Sequence, residues 1–251
     1  MAVWATADLH GNYILWEQIK AFLKEDDTLI FLGDAIDRGD RGFEIFMEML
    51  EDPRVVYLKG NHEDMMYEAF HDIGPDRGKI LKHWTKKDNG GQKTLDNAKS
   101  LNLDYDTKME YINTIARLPH YAEYENADGI KFILCHAGYT PGKNWDDTMP
   151  WTKEEKMLWD RNHFVIPNSW PVDEPIYDNV VMVHGHTPIL LMKQWGFNAS
   201  GLAPFWYDGN HKVNIDAATA NTGLAFLLNL DNYDYELFTD GSIYKHTEEE
   251  E

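Results

Sequence analysis

Four short islands rich in oxygen and nitrogen donors, each placed just after an apolar run, constrain this chain more than any other feature. They are Asp8-Leu9-His10-Gly11, Gly33-Asp34-Ala35-Ile36-Asp37-Arg38-Gly39, Gly60-Asn61-His62-Glu63 and Gly185-His186-Thr187-Pro188. The runs before the first three, residues 2–6, 28–32 and 55–58, have the length and apolar character of buried strands. Between them, Ile14, Leu15, Ile19, Phe22 and Leu23 repeat at helical spacing over residues 12–24. Phe43, Phe46, Met47 and Leu50 share a second helical face that stops near Pro53. Strand and helix alternate, and strands apolar on both faces belong in a largely parallel sheet covered by helices. The donors then sit at the carboxyl ends of successive strands, where such sheets bind their ligands.

Further along, residues 65–118 carry charged helical segments without a strand signal and read as a helical insertion or cap. Strands return at residues 130–135, 180–183, 212–215, 224–230 and 233–238. The last two are joined by an Asp-Asn turn in the manner of a hairpin, and this half is expected to form a mixed or antiparallel sheet. Residues 138–175 hold several prolines and tryptophans and read as long loops around a short helix at 153–160. No internal repeat or long linker divides the chain. Residues 1–247 are therefore expected to make one domain, followed by an acidic tail at 248–251.

Composition narrows the partners. With 23 lysines and arginines against 43 acidic residues, the formal charge of −20 repels polyanions, so extended nucleic acid is a poor partner. A single cysteine, Cys135, excludes an intrachain disulfide framework and leaves a reduced compartment as the default. Lying inside an apolar run, it reads as a small buried hydrophobe and not as a nucleophile. No apolar run approaches the roughly 20 residues that span a bilayer, and the opening residues lead into a strand without a signal-like segment. A soluble, cytoplasmic protein with no membrane partner is expected.

The donors themselves suit metal chemistry. If residues 8–10 prolong the strand in extended form, Asp8 and His10 face the same way and can hold one cation together. Asp34 is the natural bridging carboxylate, because its two oxygens can hold two cations about 3.5 to 4 Å apart. Asn61 offers a neutral carbonyl oxygen, His136 ends a fourth apolar strand, and His186 follows the strand at 180–183. Singly, each has a bland reading as a structural histidine or a turn residue. Together, in order and at strand ends, the six supply an oxygen and nitrogen shell for two divalent cations, the equipment that activates water against a phosphate ester. Mn2+ is expected first, and Fe, Zn or Mg suit the same donors.

Asp8-x-His10-Gly11, Gly33-Asp34-x-x-Asp37-Arg38-Gly39 and Gly60-Asn61-His62-Glu63 resemble the signature of the phosphoprotein phosphatase branch of the calcineurin-like metallophosphoesterases. His136-Ala137-Gly138 and Gly185-His186-Thr187-Pro188 extend the match in the family's order. Trp84, Asn89-Gly90-Gly91 and Thr94, with Leu158-Trp159-Asp160-Arg161, look like features of the bacterial and phage members. The resemblance implies an α/β (α+β) fold, a β-sandwich flanked by helices with the metals at its edge. It assigns Asp8, His10 and Asp34 to one metal, and Asp34, Asn61, His136 and His186 to the other. It makes His62 the acid that protonates the leaving oxygen, held by Asp37, and makes Arg38 and Arg161 the phosphate grip. A carboxylate on one ring nitrogen fixes the imidazole tautomer and is expected to raise its pKa. Arginine suits paired phosphoryl oxygens through its planar donors.

The implied activity is a metal-dependent phosphomonoesterase, a serine/threonine or dual-specificity protein phosphatase, acting on a phosphorylated protein, peptide or small phosphoester. The alternatives are a nucleotide hydrolase of the diadenosine tetraphosphatase type and a non-catalytic metal-binding regulatory module, the latter disfavoured by His62, Asp37 and Arg38 beside a full donor set. Pro188 stands where many diesterase relatives carry a second histidine, and Lys59 where eukaryotic members carry arginine. His184 competes with His186 as a ligand, with His186 favoured by its Gly-His-Thr setting. Asp72, Asp146 and Asp147 read as surface charges. The aromatics Trp195, Phe197, Phe205, Trp206 and Tyr207 read as core and hairpin packing ahead of a peptide-groove rim.

Overall fold

The computed structural model describes residues 1–71, 77–139, 152–161 and 175–242. Asp72, Asp146, Asp147, the acidic tail and much of the proline-rich loop region lie outside the described residues.

The first half alternates as its periodicity predicts: β1 (Val3–Thr6), α1 (Tyr13–Phe22), β2 (Thr28–Phe31), α2 (Gly42–Glu51) and β3 (Val55–Tyr57). β1 and β2 run parallel with Val3 opposite Thr28, and β2 and β3 run parallel with Leu29 opposite Val55. Side chains alternate across this sheet. Trp4, Leu29 and Phe31 pack outward on α1 and α2 with Leu15, Trp16, Ile19, Phe43 and Phe46. Val3, Ala5, Ile30 and Leu32 point inward. Both faces are buried, which is why the strands read as continuous apolar runs.

The described part of the insertion carries helices and no strand, with α3 (Asn61–His71), α4 (Arg77–Trp84), α5 (Gly91–Ser100), α6 (Tyr105–Thr114) and a 3-10 turn over Ile115–Arg117. It begins earlier than the expected residue 65: the third donor island is itself the first turn of α3.

The second sheet is mixed, as expected. β4 (Tyr121–Glu125), β5 (Lys131–Cys135), β6 (Val180–His184), β7 (Phe205–Tyr207) and β8 (Lys212–Asn214) stand in the order β4-β5-β6-β8-β7. β5, β6 and β8 are parallel, and the two edges are antiparallel. α7 (Lys153–Trp159) opens with a capping box between Thr152 and Glu155, the device its sequence offers. Phe132, Leu134, Val181, Val183, Val213 and Ile215 face the inner residues of the first sheet and close the sandwich.

After the short α8 (Thr219–Thr222), the hairpin of β9 (Leu224–Asn229) and β10 (Tyr235–Thr239) departs from expectation. It joins the first sheet, not the second, with β9 antiparallel to β1 in the order β10-β9-β1-β2-β3. A pairing across more than two hundred residues leaves no local pattern to read. β4 and β7 were not expected as strands: β4 is an exposed edge bearing Glu123 and Glu125, and β7 is only three residues long. The aromatic packing reading holds, since Phe197, Phe205 and Tyr207 lie 5.6–6.0 Å apart ring to ring and Trp206 lies 5.9 Å from Tyr233.

Candidate metal centre

The parallel strands of both sheets deliver their carboxyl ends to one place. Asp8 and His10 follow β1, Asp34 follows β2, Asn61 and His62 follow β3, His136 follows β5 and His186 follows β6. The expectation that residues 8–10 prolong the strand is not met. β1 stops at Thr6, and Asp8 and His10 have φ of 54° and 43°, so a left-handed turn, not strand alternation, aims their side chains. Asp34, Asp37, Arg38 and His186 share that conformation, at φ of 63°, 71°, 63° and 65°. Each such residue costs about 1 kcal/mol or more, and six of the eleven non-glycine cases among the described residues are the predicted site residues. The strain is concentrated where the donors converge.

Asp34 is the hub. Its Oδ2 lies 3.7 Å from His10 Nε2, 3.8 Å from His62 Nε2 and 3.5 Å from His136 Nε2, while its Oδ1 accepts from the His62 backbone N–H at 3.0 Å. Two clusters with metal-ligand geometry share it: His10, Asp34 and His62, and Asp34, His136 and His186. Asp8 is in neither. Its Oδ2 accepts from the His186 backbone N–H at 3.0 Å, tying the end of β1 to the loop after β6.

The second cluster tests whether a cation fits. His136 donates its Nδ1 proton to the Leu32 carbonyl at 2.9 Å, which leaves Nε2 as an acceptor. That Nε2 is 2.8 Å from Asn61 Oδ1 and 3.1 Å from His186 Nδ1, and Asn61 Oδ1 is 2.9 Å from the same His186 nitrogen. These lone-pair atoms, with Asp34 Oδ2 behind them, have at most one proton to share, that of His186. A divalent cation satisfies all of them, so the donor set fits one. His10 is prepared in the same way, with Nδ1 held by the Ile36 carbonyl at 3.0 Å and Nε2 turned to the centre.

Electrostatics agree. Burial, with Asp216 and Asp34 adding to it, lifts the Asp8 carboxyl well above its usual range. Burial and then Glu63 do the same at Asp34. Burial pushes His10 down and His136 to about 3, so both imidazoles are neutral, the form that ligates.

Beside the donors lies a dyad. His62 Nδ1 is 2.6 Å from Asp37 Oδ2. Asp37 is in turn gripped from the insertion: Trp84 Nε1 donates to Oδ2 at 2.7 Å, and Thr94 Oγ1 donates to Oδ1 at 2.6 Å while accepting from the Asp37 N–H at 2.8 Å. The Asn-Gly-Gly turn makes this approach feasible. A Cβ on Gly90 would stand 2.4 Å from the Arg38 nitrogen, and one on Gly91 would stand 2.5 Å from the Trp84 ring. The expected rise of the His62 pKa is not what these surroundings give. Burial, then Arg38 and Arg161, push His62 down, while burial lifts Asp37 to about 7.

Both arginines reach the centre. Arg38 Nη1 lies 2.5 Å from His10 Nε2, and its Nη2 lies 3.1 Å from His62 Nε2. Arg161 Nη1 donates to Thr187 Oγ1 at 2.6 Å. His184, by contrast, stays in the core, with Nε2 2.8 Å from the Tyr207 hydroxyl and Nδ1 3.0 Å from the Gly185 carbonyl.

Two contributors were not assigned from sequence. Glu63 accepts four bonds, from the Asp34, Ala35 and Gly60 N–H groups and the Tyr57 hydroxyl, at 2.8–3.0 Å, and so fixes the bridging loop. Asp216, 3 % exposed after β8, accepts from the Ala218 N–H at 2.7 Å, and burial lifts it to about 6. Its signal was available: Val213-Asn214-Ile215-Asp216 ends an apolar run in a carboxylate, as residues 28–34 do.

The family profile described as Calcineurin-like phosphoesterase matches residues 1–217. Serine/threonine-protein phosphatase 2 of Escherichia coli (strain K12) is 33% identical over 149 residues, 57% of this chain and 61% of that protein. The match therefore spans less than two thirds of that relative's length. Among solved structures, a protein serine/threonine phosphatase from Saccharomyces cerevisiae aligns with a TM-score of 0.58 and 14% identity over 95% of this chain and 80% of that one. One named as a candidate diadenosine tetraphosphatase aligns with a TM-score of 0.57 and 14% identity over 94% of this chain and 92% of that one. At such identity the structural likenesses speak for the fold alone.

Proposed function

The chain belongs to the calcineurin-like phosphoesterase family, and from that premise we propose that it is a phosphomonoesterase that removes phosphate from phosphoserine and phosphothreonine in proteins. The family and the donor clusters imply divalent metal ions. In this proposal Asp8, His10 and Asp34 hold one and Asp34, Asn61, His136 and His186 the other, with Mn2+ the first expectation. Such a pair supplies an activated water and neutralises charge on the phosphoryl oxygens.

The observation that carries the reading is the Asp37–His62 pair poised 3.8 Å from the hub carboxylate with two arginines over it. A cation store has no use for a positioned acid. At rest the His62 Nε2 accepts from Arg38 and cannot protonate anything. A phosphoryl group draws the Arg38 guanidinium onto its own oxygens and frees Nε2 to carry a proton. The cation that depressed the imidazole pKa is then matched by phosphate charge, so the proton is held until the leaving oxygen takes it. Arg161, anchored on Thr187, grips the opposite side of the phosphoryl group, and Asp37 keeps the ring in register.

An open groove of about 460 Å³ beside His10 and Arg38 supports a peptide over a nucleotide. Its aromatic side chain, Tyr13, is already capped by Arg41, whose guanidinium carbon lies 3.3 Å from the ring centroid. Among the described residues, no pair of free aromatic faces is left there to sandwich an adenine.

The test is turnover by the Mn-loaded protein of phosphopeptides, dinucleoside polyphosphates and p-nitrophenyl phosphate, beside His62→Asn. Phosphopeptide hydrolysis should dominate, and His62→Asn should cost about 10²- to 10³-fold on alkyl leaving groups and far less on p-nitrophenolate. Faster cleavage of dinucleotides would transfer the protein to the nucleotide-hydrolase reading, and an unaltered His62→Asn would remove the proposed acid.

A further inference from the structure

The helical insertion does more than hold Asp37. Between α2, α3, α4, α5 and α6 it lines a partly open cavity of about 160 Å³ with walls from Phe70, Leu95, Ala98 and Ile112. An apolar cavity of that size admits a benzene ring or a short alkyl chain and has no use for water. Two lysines, Lys99 and Lys108, are among its lining residues, and no acidic residue is. Lys99 is exposed and Lys108 half-buried. Neither ammonium has a carboxylate within ion-pair distance among the described residues. The clamp is part of the wall, since Trp84 and Thr94, which line the cavity, also donate to Asp37 at 2.7 and 2.6 Å.

We propose that this cavity binds a small amphiphilic carboxylate, its apolar tail inside and its head held by Lys99 and Lys108, and that occupancy shifts the clamp on Asp37. Binding stands apart from the proposed reaction; only the effect on turnover rests on it.

Calorimetric titration of the magnesium-loaded full chain with hexanoate, hexanol and acetate tests both parts. One hexanoate should bind per chain, hexanol at least about tenfold more weakly, and acetate not at all. The double substitution Lys99→Glu with Lys108→Glu, confined to the rim, should erase the preference for hexanoate over hexanol. Ala98→Phe, which fills the cavity, should abolish binding of both. Equal binding of hexanoate and hexanol, or undiminished hexanoate binding by the charge-reversed protein, overturns the site. Stronger competition by a neutral phenylalanine peptide overturns the ligand class in favour of a protein partner.

The clamp has its own readout, independent of turnover. Hexanoate should move the nitrogen-detected resonance of the Trp84 indole N–H, identified by its loss in Trp84→Phe, and should change kcat on a phosphoserine peptide without changing metal content. An unmoved Trp84 signal overturns the coupling. No turnover with or without hexanoate would strike the proposed function and leave the binding result standing.

Discussion

Two regions of this molecule bring carboxylates into its packed interior, one partly and one fully, and they treat them in opposite ways. Between α1 and α2, Glu48 accepts from the Tyr13 hydroxyl at 2.5 Å, Trp16 Nε1 at 2.8 Å and Lys20 Nζ at 2.5 Å. Burial alone would raise its pKa, but these donors outweigh burial and hold it below its usual range. At the strand ends, Asp8, Asp34, Asp37 and Asp216 are all shifted upward, and burial is the leading cause at each. The chain offers them Arg38 and Arg161 as nearby cations and sets six residues of the centre, three of these aspartates among them, in left-handed backbone. Asp37 is matched by Trp84 and Thr94, but a protein that can match a carboxylate's charge, as at Glu48, and does not do so at Asp34 has left that charge for something that binds there. Stability is given up in one region and collected in the other.

The strongest way to break the contrast is to remove one charge from the hub. Asp34→Asn keeps an oxygen to accept from the His62 N–H and nearly the same volume, but cannot bridge two cations. Turnover should fall by more than about 10³-fold, with loss of bound metal. The metal-free variant should nevertheless melt higher than the metal-free parent, because a buried unmatched carboxylate has gone. A variant that loses activity and also melts lower when metal-free would mean that Asp34 is structural, and the contrast would collapse.

A smaller effect separates the ligand shell from the insertion that serves it. Trp84→Phe removes the N–H that Asp37 accepts at 2.7 Å and retains most of the ring against Gly91. Metal content should be unchanged and kcat on phosphoserine peptides should fall about tenfold. Because that hydrogen bond lowers the Asp37 pKa from where burial would put it, its loss raises the value above about 7. The pH limb governed by the dyad should therefore move to higher pH; a downward move, or loss of metal, would show that the insertion does not act through Asp37.

The same contrast explains how far the sequence could be read. The strand-end islands were legible because an apolar run and a donor are adjacent in the chain: β1 with Asp8, β2 with Asp34 and β5 with His136 each announce themselves. What was not legible lies in backbone conformation and in distance along the chain. Nothing in Asp8-Leu9-His10 announces two left-handed residues instead of a prolonged strand. Trp84 and Thr94 stood out as a pattern, but their partner, Asp37, lies 47 and 57 positions earlier. The hairpin of β9 and β10 was visible, while its docking on β1 depends on which sheet edge is free, a property of the assembled fold. The expected rise at His62 failed for a physical reason: burial and two guanidinium groups outweigh one carboxylate.

The smallest test lies on the satisfied side of the contrast. Glu48→Gln keeps the shape and one acceptor but removes the charge that Lys20 pairs and that Tyr13 and Trp16 bond. Because Glu48 keeps 30% of its surface in water, the loss near pH 7 should be only about 1 kcal/mol. The sign with pH follows from linkage. A carboxyl whose folded pKa lies below its unfolded value of 4.5 contributes fully above that value and ceases to contribute as pH falls through the folded one. Denaturant unfolding of both proteins should thus give stabilities that differ near pH 7 and converge in acid, below the folded pKa of Glu48, with turnover per folded molecule unchanged at every pH. A difference that persists in acid would mean that Glu48 acts through packing and not through charge. It would then no longer be the matched counterpart of the carboxylates at the centre.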